Sequence, residues 1–150
     1  MPEHRRKLAA LRRLARVQKL ERDRAAVAMA EASAVQQRAD DDEAAAMAKR
    51  QALDASFVQR IATVDNPSQL ECFGTEREGA DWEIRDARKR SKDARRICVA
   101  RQDAVGQADR RLSMTESLID KARDALRKAA DRHEQMTMDD LVPTRSKTPS

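Results

Sequence analysis

Few residues in this chain have the chemistry that catalysis or metal binding requires. The two histidines, His4 and His133, are far apart in sequence, and no pair of histidines and cysteines has the spacing of zinc ligands. The sequence contains no Gly-rich phosphate loop, nucleophile elbow or HExxH motif, and the acidic run 40–43 would point in every direction around a helix. We therefore expect no enzyme activity, no metal ion and no cofactor.

The two cysteines are predicted to be free thiols. Cys72 and Cys98 fall on one predicted helix, where their spacing corresponds to a rise of about 39 Å, far beyond the reach of a disulfide. Free thiols are typical of the cytoplasm. The charged start of the chain is not followed by an apolar signal segment, and no apolar run reaches the length of about 18 residues that a membrane helix needs. We expect a soluble cytoplasmic protein without membrane insertion.

The second half of the chain follows one heptad repeat, which predicts a coiled coil. Fifteen of the twenty a and d positions between Leu70 and Met136 are apolar. The a positions are Leu70, Arg77, Ile84, Ser91, Cys98, Val105, Leu112, Ile119, Leu126 and His133, and the d positions are Phe73, Ala80, Ala87, Ala94, Arg101, Ala108, Thr115, Ala122, Ala129 and Met136. Such a long, narrow apolar stripe can be buried only against another helix of similar length.

The partner helix is predicted to be the first half of the same chain. Residues 2–62 contain no glycine and only one proline, Pro2, and they are rich in strong helix formers. Pro67 interrupts this helical pattern, and Ser68 with Glu71 has the spacing of a capping box for a new helix. The sequence therefore predicts an all-α, antiparallel two-helix coiled-coil hairpin, with helix 1 at about 2–63, a turn at 64–68 and helix 2 at about 69–136.

Composition agrees with this fold. Charged residues make up 38% of the chain and aromatic residues 2%, which suits a coiled coil and leaves too little bulky apolar material for a globular core. The middle of helix 1, at 36–43, offers only Ala39 to the interface, so we expect loose packing there. Gly74 and Gly79 leave open whether helix 2 is continuous. Residues 137–150 include Pro143 and have no apolar period, and they are predicted to be a disordered tail.

Two features of the sequence indicate binding surfaces. The first 24 residues carry nine basic and three acidic side chains. Mixed charge is normal on a solvated coiled-coil face, but this basic end could also bind an acidic protein surface; nucleic-acid binding is disfavoured, because no known motif accompanies the charge. All three aromatic residues lie near the turn. Phe73 belongs to the predicted seam, whereas Trp82 lies outside positions a and d and is a candidate anchor for a partner.

The layout resembles a known family. A chain of about this length with a basic start, one long α-hairpin, a short Pro-containing turn and an acidic pair near its end, Asp139-Asp140, looks like the FliJ/SctO (YscO-type) stalk proteins of flagellar and virulence type III secretion. The resemblance implies a monomeric, non-enzymatic stalk that is cytoplasmic and peripheral to an inner-membrane secretion apparatus. It implies as partners the export ATPase hexamer, the export-gate cytoplasmic ring and secretion chaperones, with no nucleic acid.

The resemblance also assigns the two ends of the hairpin to different partners. The basic end would face the ATPase, and the residues that flank the turn would face the export gate. The ATPase set is Arg5, Arg6, Arg12, Arg13, Arg16 and Arg127, and the gate set is Leu53, Phe57, Phe73 and Trp82. Two other functions stay open at this point: a generic structural coiled coil or dimerisation module, and a basic nucleic-acid-associated protein.

Overall fold

Two long helices form the protein, as the heptad pattern predicts. The computed structural model describes residues 2–146, with side chains for residues 2–141. Helix α1 spans Pro2–Arg60, a short 3-10 segment spans Ile61–Thr63, and helix α2 spans Pro67–Ser146. The two helices pack against each other as an antiparallel pair, and the described part of the chain contains no strand. The predicted all-α hairpin is confirmed.

The turn has the predicted position but a different cap. Asn66 caps α2, because its side-chain Oδ1 accepts a hydrogen bond from the amide of Ser68 at 3.2 Å and its carbonyl oxygen accepts one from the amide of Gln69 at 3.1 Å. The Gln69 side chain reaches back and accepts from the amide of Asp65 at 3.3 Å. Pro67 then occupies the first helical position, where a missing N–H costs nothing. The predicted capping box of Ser68 with Glu71 is therefore wrong, since the helix starts earlier than expected.

Helix α2 is also longer than predicted. It passes through Gly74 and Gly79 without a break, and neither glycine has a positive φ. It continues past the expected end at Met136 to Ser146, with Pro143 in its last turn. An established helix gains one hydrogen bond for each residue added, and no glycine or proline lies between Met136 and Pro143. Of the tail predicted at 137–150, residues 147–150 lie outside the described residues.

The chain forms two compact units, which we name by their content. The terminal unit comprises Met1–Arg24 and Val105–Ser150, and the turn unit comprises Ala25–Ala104. The core of the terminal unit is a cluster of buried and partly buried apolar side chains from both helices: Leu8, Leu11, Ala15, Ile119, Ala122 and Leu126. The core of the turn unit is built mainly from small residues, with Ala80, Ala87 and Ala94 each at most 5% exposed. Small side chains at these positions allow the helix backbones to approach closely.

Helix α1 also follows a heptad register, although several of its a and d positions are polar or charged. Every a and d position from Leu8 to Phe57 is buried or half-buried. The a positions are Leu8, Ala15, Arg22, Met29, Gln36, Glu43, Arg50 and Phe57, and the d positions are Leu11, Gln18, Ala25, Ala32, Ala39, Ala46 and Leu53. The series Leu14, Val17 and Leu20, which continues the apolar spacing of Leu8 and Leu11, is exposed instead.

Polar contacts hold the middle of the seam, where loose packing was predicted. The hydroxyl of Ser91, which is 2% exposed, donates to Asp40 Oδ1 at 2.6 Å. Glu43 lies 3.5 Å from Arg88, and Arg95 lies 3.7 Å from Asp40. These groups replace apolar side chains at the interface, so the helices remain packed there. In α2 the predicted seam is buried or half-buried except at Leu70, Arg77, Arg101, His133 and Met136.

Candidate functional site

The basic residues predicted to bind a partner all lie in the terminal unit and are all exposed. They are Arg5, Arg6, Arg12, Arg13, Arg16 and Arg127. None of the six forms an ion pair with a described residue. Arg22, at an a position, behaves differently, because it contacts Asp23 at 3.4 Å and Asp109 at 3.8 Å. The side chains of all six predicted arginines are therefore exposed and unpaired among the described residues.

Helix geometry separates these six arginines into two sets. Positions e and b follow position a around a helix, whereas f is opposite the seam. Arg5 and Arg12 occupy e, and Arg16 occupies b, so they share one side of α1. Arg127 occupies b of α2. The remaining two, Arg6 and Arg13, occupy f on the outer face of α1, so the sequence-predicted site is distributed over two faces.

Net charge differs between the two units. Residues 2–24 carry nine basic and three acidic side chains, a net of +6, and residues 105–141 carry seven basic and eight acidic ones, a net of −1. The turn unit carries thirteen basic and fifteen acidic side chains, a net of −2. Many of the charges in the turn unit are paired across the helices, including Lys49 with Glu83 at 3.2 Å and Arg90 with Asp42 at 3.4 Å. Net positive charge is thus concentrated in the terminal unit.

Three of the four residues predicted to contact a partner near the turn pack within the hairpin. The rings of Phe57 and Phe73 stack, with centroids 3.9 Å apart and planes inclined by 21°. Phe73 is buried and Leu53 is half-buried. Trp82 is 61% exposed. Of the predicted gate set, therefore, only Trp82 presents most of its side chain to solvent.

Two concave features accompany these aromatic residues in the turn unit. A cavity of about 350 Å³ beside the turn is lined by Phe57, Val64, Leu70, Cys72 and Phe73, among others. Sequence reasoning missed this cavity, because it depends on how the 3-10 segment brings Val64 opposite Leu70. Trp82 borders a second, open groove of about 330 Å³ together with Lys49 and Glu83. Both volumes fall at the lower end of the range of about 300–1,000 Å³ that is typical of small-molecule pockets.

One ionic cluster in the turn unit shifts the pKa values of Arg50 and Asp81. Arg50 Nε donates to Asp81 Oδ1 at 2.7 Å, and the same guanidinium also bonds Asp54. The hydrogen bond from Arg50 lowers the pKa of Asp81 below its usual 3.8, and the bonds to Asp81 and Asp54 raise the pKa of Arg50. Both charged forms are stabilised, so the cluster fixes the pairing of the two helices and does not supply an acid or a base.

Within the described residues, no group of three or more histidine, cysteine or acidic side chains is arranged to hold a metal ion. Cys72 is exposed, Cys98 is half-buried, and both are free thiols. None of the helices, as far as they are described, has an apolar stretch long enough to cross a membrane. Comparisons of this chain with family models, with curated proteins and with solved structures find no match.

Proposed function

We propose that this protein is a non-enzymatic coiled-coil stalk of a type III secretion system, which links the export ATPase hexamer to the export-gate ring. It would act in the cytoplasm, peripheral to the inner-membrane secretion apparatus. The observation that carries the proposal is the distribution of charge in an antiparallel hairpin. Net positive charge and exposed arginines gather in the unit that contains the start of the chain, whereas the unit that contains the turn is nearly neutral and has many of its charges paired across the helices.

The terminal unit is the part that we assign to the ATPase. Exposed, unpaired guanidinium groups keep full hydration in the free protein and can form bidentate pairs with carboxylates that line a pore. Arg5, Arg12 and Arg16 share one side of α1 and supply the main contact in this proposal. The interaction would depend on salt, because solvent-exposed charges are screened over about 10 Å at moderate ionic strength.

The turn unit is the part that we assign to the export gate. Phe57 and Phe73 stack on each other. In this proposal they stabilise the hairpin near the turn and do not contact the gate directly. Trp82 supplies the anchor in this proposal, because an exposed tryptophan beside a groove is the type of residue that dominates interface energetics. Each unit thus offers its own binding surface, and the mechanism requires contacts but no chemistry.

The ATPase assignment can be tested with charge reversals matched between the units. The test variant carries Arg5→Glu, Arg12→Glu and Arg16→Glu, and the control carries Lys89→Glu, Lys92→Glu and Arg96→Glu, three exposed and unpaired cations of the turn unit. Both variants change net charge equally. Binding to the purified export ATPase from the same cell, measured by biolayer interferometry, should be lost in the test variant and kept in the control. Equal loss in both would show nonspecific attraction and contradict the proposed contact.

The gate assignment is tested separately with Trp82→Ala in a pull-down against the cytoplasmic domain of the export gate. A loss of roughly 30-fold in affinity is expected, which corresponds to the roughly 2 kcal/mol typical of an anchor residue. A generic structural coiled coil would bind neither partner. A nucleic-acid-associated protein would bind duplex DNA with an affinity that falls steeply as salt rises. Either result, obtained with the wild-type protein, would replace the stalk proposal.

A further inference from the structure

The terminal unit has one apolar side that its own fold leaves uncovered. Leu14 and Leu118 are each 45% exposed, Val17 is 53% exposed and Met114 is 69% exposed. Leu14 and Leu118 occupy position g, and Val17 and Met114 occupy position c, in their respective helices. Positions g and c follow position d around a helix, so the four residues belong to the same flank of the helix pair. We call this surface the apolar side.

The opposite flank of the same unit has a different composition. It is formed by positions e and b, which hold Arg5, Ala9, Arg12, Arg16, Lys19 and Asp23 in α1. In α2, from 105 to 141, they hold Gly106, Asp109, Ser113, Glu116, Asp120, Arg123, Arg127, Ala130, Glu134, Thr137 and Leu141. Among these positions of α1 and α2, Leu141 is the one large apolar side chain, and it lies far from Leu14 and Leu118 in sequence. The apolar side therefore reflects an arrangement and not a general excess of hydrophobic residues on the surface.

The apolar side lies directly beside the core of the unit. Leu14 immediately precedes Ala15 in sequence, and Leu118 immediately precedes Ile119. Ala15 and Ile119 belong to the same packed cluster, so Leu14 and Leu118 flank that cluster from the two helices. Two leucines that border the seam on one flank offer an apolar strip. The apolar face of a further helix can pack against such a strip, as in helix-in-groove recognition.

The charges around the apolar side specify the class of partner. Basic residues on the same flank are Lys7, Arg24, Arg111, Lys121, Lys128 and Arg132, and acidic ones are Glu3, Glu21 and Asp139. None of the six basic residues forms an ion pair with another described residue. An apolar centre with a predominantly basic rim is complementary to apolar anchors that are surrounded by carboxylates. A second copy of this chain would bring the same basic rim against its own and be repelled.

We propose that the apolar side docks an acidic amphipathic α-helix of another protein. The helix would place its apolar stripe against Leu14 and Leu118 and its carboxylates against Lys7, Arg111 and Lys121. This inference does not depend on the stalk function, because the arginines assigned to the ATPase and Trp82 take no part in it. A helix is favoured over an anionic membrane, since the exposed apolar residues occupy less than one heptad of each helix and do not form a long hydrophobic face.

The test uses a defined probe with the full-length protein. The probe is a fluorescent synthetic peptide of about three heptads, with leucine at a and d and glutamate at e and g. Its binding is followed by fluorescence anisotropy. A peptide of the same composition in scrambled order and a peptide with lysine in place of glutamate serve as probe controls. The wild-type protein should bind the acidic helix and neither control peptide.

Two matched variants locate the site. The variant Leu14→Ser with Leu118→Ser should bind the acidic peptide about 30-fold more weakly than the wild type, as expected for loss of anchor residues. The control, Leu20→Ser with Leu141→Ser, removes two exposed leucines of the same unit that lie outside the apolar side, and it should bind normally. All four leucines are at least 45% exposed, so both variants should keep the helicity of the wild type in far-UV circular dichroism.

A charge variant makes the proposal independent of these leucines. Lys7→Glu with Lys121→Glu should weaken binding of the acidic peptide and favour the lysine peptide, because the rim would then carry the opposite charge. The proposal is overturned if the acidic peptide does not bind, if it binds both leucine variants equally, or if the scrambled peptide binds as well. It is also overturned if binding to vesicles of phosphatidylglycerol and phosphatidylcholine depends on Leu14 and Leu118 while binding to the peptide does not. That result would identify a membrane surface as the partner.

Discussion

Two aromatic residues of α2, Phe73 and Trp82, should respond to alanine substitution in opposite ways. Phe73 is 7% exposed and stacks on Phe57 with ring centroids 3.9 Å apart. Trp82 is 61% exposed and occupies an f position, opposite the seam. Phe73 is therefore part of the packed interface, and Trp82 is a surface residue. Phe73→Ala should destabilise the hairpin with little direct effect on binding, whereas Trp82→Ala should weaken binding with little effect on the fold.

The magnitudes follow from burial. Truncation of a buried phenylalanine costs about 3–5 kcal/mol, which includes about 0.5–1.5 kcal/mol for the aromatic pair. We expect about 3 kcal/mol for Phe73→Ala, because residues beside the turn can partly collapse into the space. Trp82 has about two-fifths of its surface covered, which is about 80 Å² and an upper limit of about 2 kcal/mol at 25 cal/mol per Å². Alanine retains part of this burial, so about 1 kcal/mol is expected for Trp82→Ala.

Urea unfolding followed by far-UV circular dichroism measures both values on the same preparations. Leu112→Ala serves as a seam control, since Leu112 is 5% exposed, and it should lose about 2–5 kcal/mol. The urea dependence of the free energy of unfolding should be unchanged in all variants, so that differences in midpoint report stability. A loss for Trp82→Ala that equals the loss for Phe73→Ala would refute the reasoning, because Trp82 would then be a packing residue and not an available anchor.

Three further changes test other features of the fold. Gln18 occupies a d position, and its side-chain oxygen is buried without a hydrogen-bond partner in the described structure. Gln18→Leu should therefore raise the free energy of unfolding by about 1 kcal/mol, as measured by urea titration. An unchanged or lower urea midpoint would argue against the burial of this oxygen. The bond from Arg50 lowers the pKa of Asp81, so the stability that this bond contributes should be fully present above pH 3.8 and lost as the pH falls through the lower pKa of the folded state. Melting curves of Asp81→Asn at different pH values should lack this acid-dependent loss. Identical pH profiles for the variant and the wild type would count against the bond. Asn66→Ala should cost about 1 kcal/mol through loss of the cap, whereas Asn66→Asp, which can also cap, should melt like the wild type; equal losses would implicate the backbone instead.

Local information was sufficient for the elements of this fold. Helix propensity over residues 2–62 and the heptad repeat after Leu70 predict two helices, since both signals depend only on neighbouring residues along the chain. Pro67 predicts the turn, because its ring restricts the residue before it wherever it occurs. The exposure of Trp82 was also predictable, as its position follows from the register of its own helix. None of these inferences requires knowledge of the opposing helix.

Contacts across the interface decided the rest. The register of α1 passes through Arg22, Glu43 and Arg50, which look like surface residues until Asp109, Arg88 and Asp81 are placed opposite them. For the same reason the sequence could not show that Phe57 would stack on Phe73, or that Leu14 and Leu118 would flank the apolar cluster of the terminal unit. The amino-acid sequence by itself determined the two helices, their connection and the seam of α2, because the spacing of apolar residues can be read along a single helix. Only the tertiary structure decided which charged and apolar side chains meet a partner within the chain and which remain for other molecules, because a buried polar group costs stability unless a specific partner faces it across the interface.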